Sequence, residues 1–276
     1  MTLFESGVLG IVQGVTEFLP ISSIAHLRVI PALIGWEDPG AAYSAVIQLG
    51  TLLAVLVYFA GDLRTMIRAA LRGLFSGRPW ASQEARLAWF IIVGTFPIGI
   101  CGLAFKKQIE GNWRSLYVIS ASLIVLGILL WLAERTASFR RDVGQIGWLD
   151  SQLVGLAQAV ALIPGSSRSG TTMTAAMLLG LTREAAARFS FLLGIPAIGA
   201  AGLFELRELL QHGTGGAGLP VLAVGTLTSA VSGYLAIDLL LRYLRRNTTY
   251  VFVWYRIGLG LLLLLLLTAG ILKPLG

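Results

Sequence analysis

The chain has 276 residues, of which 56% are hydrophobic and only 13% charged, against roughly 45–50% apolar and about 25% charged in an ordinary soluble domain. That balance excludes a soluble globular enzyme. The formal charge of +7 comes from basic residues scattered between apolar runs rather than gathered into one stripe with exposed aromatics, so no nucleic-acid partner is expected.

The expected class is an all-α integral-membrane protein, a single polytopic domain over residues 1–276. At the N-terminus Glu5 stands where a secretory signal needs positive charge, and the first apolar stretch is interrupted by Gln13, Glu17 and Pro20, so no cleaved targeting segment is expected. That stretch, about 7–34, is broken by the polar turn 14–23. Apolar runs follow near 41–60, 87–105 and 116–133. A second broken stretch at about 153–182 is interrupted by Pro164–Gly170, and runs near 189–206, 219–241 and 251–272 complete the chain. Each unbroken run approaches the roughly 20 residues that cross the hydrocarbon core, which gives six transmembrane helices. Between the first two, Arg64, Arg68 and Arg72 recur every four residues with Leu63, Met66, Ile67, Ala70 and Leu71 on other faces. This pattern suits a short interfacial helix, or an ordinary positively charged loop. The single cysteine, Cys101, lies in the second run and offers neither a disulfide framework nor a Cys-based metal site.

Alternate connections are unequal in Lys and Arg. One set holds thirteen, including Arg64, Arg68, Arg72, Arg135, Arg183, Arg188 and Arg245, and the other six, including Arg28, Lys106 and Arg114. The richer set is assigned to the cytoplasm, with Arg168 and Arg256 omitted because they fall in apolar context. This assignment requires each broken stretch to enter and leave on one side, as a re-entrant helix-loop-helix hairpin. Irregular backbone is tolerated at that depth where it is buried in protein or lines a cavity. The first hairpin then opens outward and the second to the cytoplasm. At an offset of 144 the halves share Pro20/Pro164, Ser22/Ser166, Ser23/Ser167, Leu49/Leu193 and Gly50/Gly194. The pseudo-repeats, about 1–133 and 145–272, would be inverted relative to each other, an arrangement that brings the two polar turns together at the midplane.

An acidic residue within an apolar helix costs about 2.5–3.5 kcal/mol at its centre, so Glu17 needs a partner or a task. Gln13 and Glu17, at i and i+4, share a face. After the Pro20 break come Ser22, Ser23 and His26, so one short segment supplies a carboxylate, two hydroxyls and an imidazole, the groups of general acid-base and nucleophilic catalysis. The second turn gathers Ser166, Ser167, Arg168 and Ser169 before Gly170, Thr171 and Thr172, where a new helix should begin. Free N–H groups at a helix N-terminus, hydroxyls and a guanidinium suit phosphate oxygens. A Walker A loop is absent, which argues against nucleotide binding. No His/Cys/Asp/Glu cluster has zinc spacing, but Glu17 and bound phosphate oxygens could share a magnesium or calcium ion. His212, Glu205 and Asp238 receive no site role.

These residues resemble the undecaprenyl pyrophosphate phosphatase family, also called bacitracin-resistance or BacA/UppP proteins. The family's first motif is matched by Gln13, Glu17, Phe18, Leu19, Pro20, Ser22, Ser23 and His26, and its second by Pro164 to Gly170. Ile24-Ala25 replaces the Thr-Gly of many members, and Gln13 replaces a Glu, which removes one carboxylate from any metal site. The resemblance implies a bacterial inner-membrane enzyme that hydrolyses undecaprenyl diphosphate to the monophosphate carrier lipid, often with a divalent cation. It also implies six spans with two re-entrant hairpins, a site opening to the outer, periplasmic face, and bacitracin resistance. On this reading Glu17, Ser23, His26 and Arg168 are catalytic. Ser22, Ser166, Ser167, Ser169, Gly170 and Thr172 bind phosphate, and Glu17 with Gln13 holds the cation. Either Ser23 or His26 serves as the nucleophile. The expected partners are the polyprenyl diphosphate lipid and the bilayer, and self-association into a homodimer is left open. The rival reading is a polyprenyl-phosphate transporter without hydrolysis, for which broken helices in an inverted repeat are typical.

Overall fold

A computed structural model describes residues 1–212 and 218–274, so the Gly-rich connection at 213–217 lies outside the described residues. Among the described residues the regular structure is helical. Helix α1 (Leu3–Phe18) opens on a capping box in which Thr2 and Glu5 satisfy each other's backbone N–H groups. It is followed after a short break by α2 (Ser23–Ile34), then α3 (Gly40–Tyr58) and α4 (Ala60–Phe75). Next come α5 (Gln83–Ala104), the short α6 (Lys106–Glu110), α7 (Leu116–Thr136), α8 (Trp148–Val160) and α9 (Arg168–Leu178). Three long helices end the chain: α10 (Arg183–His212), α11 (Leu219–Leu244) and α12 (Tyr250–Thr268).

Each of the six apolar runs of the sequence forms a helix. Five of these helices, α5, α7, α10, α11 and α12, are each long and apolar enough to cross a membrane. Helices α3 and α4 make a sixth candidate span as a pair, bent by 76° at their junction. The bend falls where the arginine-rich segment begins, and that segment is helical. The protein is therefore a multi-pass membrane protein. The two interrupted stretches are the helix pairs α1–α2 and α8–α9, with breaks at 19–22 and 161–167.

Small residues bring the helices together. The pair α1 and α11 packs most extensively, and α3 also lies on α11, while α5 packs on α8 and α7 on α12. A Cβ placed on Gly10 would lie 2.3 Å from the Gly225 carbonyl oxygen, and one on Gly155 only 2.2 Å from that of Gly94. These backbones touch directly, as membrane helices do where small side chains permit it. One turn before each contact a buried serine donates across the same seam, Ser6 Oγ to Val221 O at 2.5 Å and Ser151 Oγ to Phe90 O at 2.6 Å. Helices α1 and α8 thus make the same kind of contact, each with a span from the other half of the chain.

Ion pairs fasten the ends of the bundle. At one end the buried Glu134 carboxylate of α7 accepts from Arg183 of α10 through its Nε and Nη2, and from the Thr249 N–H and hydroxyl at the start of α12. Near it lie Arg188–Asp62 at 2.7 Å and Arg245–Glu184 at 2.9 Å. Elsewhere, Arg28 and Arg114 converge on Asp38 at 2.8 and 3.2 Å.

Candidate active site

The site begins with two helix starts of unusual form. The N-caps of α2 and α9, Ser22 and Ser167, have positive φ values of 75° and 68°, a conformation rare for residues other than glycine. Each still caps its helix, Ser22 Oγ accepting from the Ala25 N–H at 3.3 Å and Ser167 Oγ from the Gly170 N–H at 3.1 Å. The first helical residues after these caps are Ser23 and Arg168, and both reach the same carboxylate. Ser23 Oγ donates to Glu17 Oε2 at 2.7 Å, and Arg168 Nη2 to Glu17 Oε1 at 3.3 Å. Gln13 Nε2 adds a third bond, to Oε2 at 2.9 Å. Glu17, Ser23, His26 and Ser167 are each under a tenth exposed, so the carboxylate that the apolar sequence made expensive is fully partnered.

The two breaks are joined to each other. Ser169 Oγ donates to Leu19 O at 3.0 Å and lies 3.2 Å from Ser167 Oγ. Arg256 of α12, the largest fully buried side chain, donates to Pro20 O at 3.0 Å in the first break and to Gly165 O and Ser166 O at 3.2 and 2.9 Å in the second. One guanidinium therefore satisfies backbone carbonyls within both breaks, a requirement that is severe away from water.

The structure brings together Gln13, Glu17, Ser23 and Arg168 around one carboxylate and sets Ser167 and Ser169 beside them. It places other expected site residues differently. Both ring nitrogens of His26 are engaged away from Glu17, Nδ1 with Ser22 O at 2.7 Å and Nε2 with the Tyr255 hydroxyl at 2.6 Å. Tyr255 also stacks on the imidazole, the ring planes 8° apart. The N–H of Gly170 serves the cap, and a side chain at this position would press on Arg256 Nη1. Thr172 lies inside the packing of α9 on α10, its hydroxyl 2.6 Å from Ser190 Oγ. Ser22 Oγ is a cap, and Ser166 Oγ is buried without a partner.

Arg256, Tyr255, Ser190 and Gly194 have no site role in the sequence reading. Arg168 Nη1 donates to Ser190 O at 3.1 Å, and a Cβ on Gly194 would lie 1.9 Å from that same nitrogen. Gly194 therefore makes room for the arginine. Arg256 carries a usable signal in the sequence, since a cation in an apolar segment is by default a functional candidate. Similar features stand 145 residues apart at the caps (Ser22/Ser167), the seam serines (Ser6/Ser151) and the contact glycines (Gly10/Gly155), one position from the offset of the shared residues.

Two atoms at the site lack partners and are the natural test of what it holds. Arg168 Nε is a buried donor and Gln13 Oε1 a buried acceptor, neither hydrogen-bonded. The first suits an anion's oxygen and the second a cation. Among the described residues no three His, Cys, Asp or Glu side chains converge, so a cation here would have Glu17 as its one carboxylate. Hard divalent ions accept such a set when substrate oxygens and water complete it.

A multi-pass membrane protein with a serine, a carboxylate and an arginine joined at two buried helix starts belongs to the class of integral-membrane proteins built to handle an anionic group. The chain belongs to the Bacitracin resistance protein BacA family, which matches residues 6–262. It is 58% identical to an undecaprenyl-diphosphatase of Myxococcus xanthus, covering 99% of this chain and 92% of the relative. It is 54% identical to one from Chlorobium phaeovibrioides and 50% to one from Chlorobaculum tepidum, each over 99% of this chain and 100% of the relative.

Proposed function

We propose that the protein is an undecaprenyl-diphosphate phosphatase, releasing inorganic phosphate and leaving undecaprenyl phosphate for reuse as a cell-wall carrier lipid. The observation that carries this reading is the 2.7 Å hydrogen bond from Ser23 Oγ to Glu17 Oε2, beside an arginine. It is the geometry of a hydroxyl poised to lose its proton to a carboxylate. Arg168, the hydroxyls of Ser167 and Ser169, and the positive ends of α2 and α9 hold the diphosphate. Ser23 Oγ attacks the terminal phosphorus as its proton passes to Glu17. The bond from that phosphorus to the bridging oxygen breaks, and the polyprenyl monophosphate leaves. Arg168 stabilises charge on the transferred group. Glu17 gives the Ser23 proton to the departing monophosphate; water then attacks the phosphoserine as its proton passes to Glu17, which returns it to Ser23 Oγ as the bond from phosphorus to Oγ breaks and inorganic phosphate departs. His26, tied to Ser22 O and Tyr255, holds the start of α2 in place, which favours Ser23 over His26 as the nucleophile. A magnesium or calcium ion would be held by Glu17 and Gln13 Oε1 and would offset diphosphate charge.

The architecture around this chemistry is two re-entrant hairpins, α1–α2 and α8–α9, in an inverted repeat. Its support is the paired contacts of α1 with α11 and α8 with α5, and the matching caps at Ser22 and Ser167. The arginine-rich end faces the cytoplasm of the bacterial inner membrane, and the first hairpin opens to the periplasmic face.

Phosphate release from undecaprenyl diphosphate by purified protein in detergent tests the proposal. Wild type should turn over, and EDTA should slow it. Ser23→Ala and Arg168→Ala should each lose roughly a hundredfold or more, the scale of a lost oxyanion-stabilising group. Folded wild type that binds the lipid but releases no phosphate would favour the transporter reading, and a phosphate adduct on His26 would end the role given to Ser23. Overproduction in a bacterial host should raise tolerance to bacitracin.

A further inference from the structure

Helix α4 leaves α3 at 76° and presents two unlike faces. On one, Ile67, Leu71, Leu74 and Phe75 stand exposed, Phe75 at 90%. On the other, Arg68 and Arg72 line a pocket of about 560 Å³ that is closed on its far side by Arg78, Ser82 and Glu84 at the start of α5. Ser76 completes the rim. No ion pair is formed by Arg68, Arg72 or Arg78 among the described residues, whereas Arg183, Arg188, Arg242 and Arg245 at the same end of the bundle are each matched to a carboxylate. Glu84 is the one acidic side chain of the pocket, against three guanidiniums. Positive charge is thus concentrated in a concave site at the level where a bent, amphipathic helix meets the membrane surface.

We propose that this pocket binds the phosphate headgroup of an anionic phospholipid, with the acyl chains lying along the exposed apolar edge of α4. Guanidiniums pair with phosphate oxygens in bidentate fashion, and a polybasic segment at the membrane surface is attracted to anionic lipid. The apolar edge distinguishes a lipid from a free anion, because a soluble phosphate makes no use of Ile67, Leu71 or Phe75. The site lies apart from Glu17, Ser23 and Arg168, and binding there needs no hydrolysis.

The test is lipid retention by the full-length protein in detergent, read by native mass spectrometry after addition of phosphatidylglycerol or phosphatidylcholine. Wild type should retain phosphatidylglycerol selectively. Arg68→Gln/Arg72→Gln/Arg78→Gln should weaken that retention roughly tenfold or more. A charge-matched control at the same end, Arg135→Gln/Arg140→Gln/Arg246→Gln, should retain it. Equal losses in both triples would reduce the effect to general electrostatics and overturn the site. A second arm adds inorganic phosphate. Displacement of lipid by millimolar phosphate with equal affinity would make this a soluble-anion site and overturn the lipid assignment. Helical circular dichroism and a monodisperse elution profile guard against misfolding. Because retention is read without turnover, its failure is separable from failure of the phosphatase reading.

Discussion

At the scale of single residues, Glu17 is held by three donors from three places: Gln13 on its own helix, Ser23 across the first break, and Arg168 across the second. The spacing of Gln13 and Glu17 and the clustering of Ser22, Ser23 and His26 were legible because helical period and a proline break are local properties. Gly194 was not, since nothing in its neighbourhood of sequence reveals that a guanidinium rests on it. The structure makes its importance measurable. Gly194→Ala should displace Arg168 and lower kcat/KM by at least about tenfold with the melting temperature changed by only a few degrees. Wild-type kinetics in that variant would show that the arginine reaches its target by another path. Gln13→Ala removes one bond to Glu17 but leaves Ser23 and Arg168 in place. It should reduce activity severalfold at most, and a loss equal to that of Glu17→Gln would show that position 13 takes part in the chemistry.

At the scale of elements, the two broken pairs depend on partners far away in the chain. Pro20 and the polar run at 164–170 announce interruptions, but the interruptions persist only because Arg256 and Ser169 satisfy the exposed carbonyls. The break lengths differ, 19–22 against 161–167, yet the seam contacts before the breaks (Ser6/Ser151, Gly10/Gly155) and the caps after them (Ser22/Ser167) keep one separation of 145. The elements also rely on the Glu134 knot, where α7, α10 and the start of α12 share one buried carboxylate. Glu134→Ala leaves Arg183 and the Thr249 N–H without their acceptor. It should destabilise the protein by about 3–5 kcal/mol, the scale of breaking one side of a buried pair, seen as a lower melting temperature in detergent. A change under about 1 kcal/mol would mean that the knot is wetter than its 1% side-chain exposure implies.

At the scale of the whole molecule, the uneven distribution of arginine proposes an orientation that labelling can test. The structure gathers Glu134–Arg183, Asp62–Arg188 and Glu184–Arg245 at one end, the end the arginine count assigns to the cytoplasm. In a Cys101→Ser background, Glu37→Cys should react with a membrane-impermeant maleimide added to intact cells, and Arg140→Cys only after permeabilisation. The opposite pattern would invert the protein and turn the first hairpin toward the cytoplasm.

The sequence by itself determined the solvent, the six apolar helices, the positions of both breaks and the chemical types at the site. These follow from composition and from periodicities of a few residues, and the burial of charge in lipid leaves so few solutions that local pattern is informative. Only the tertiary structure decided that Ser23 and Arg168 meet on one carboxylate, that His26 turns to Tyr255 instead, and that Arg256 binds the two breaks together. Those outcomes depend on contacts between residues as many as 236 positions apart. They are fixed by the satisfaction of buried polar groups across helices, a condition on the whole fold that no local pattern records.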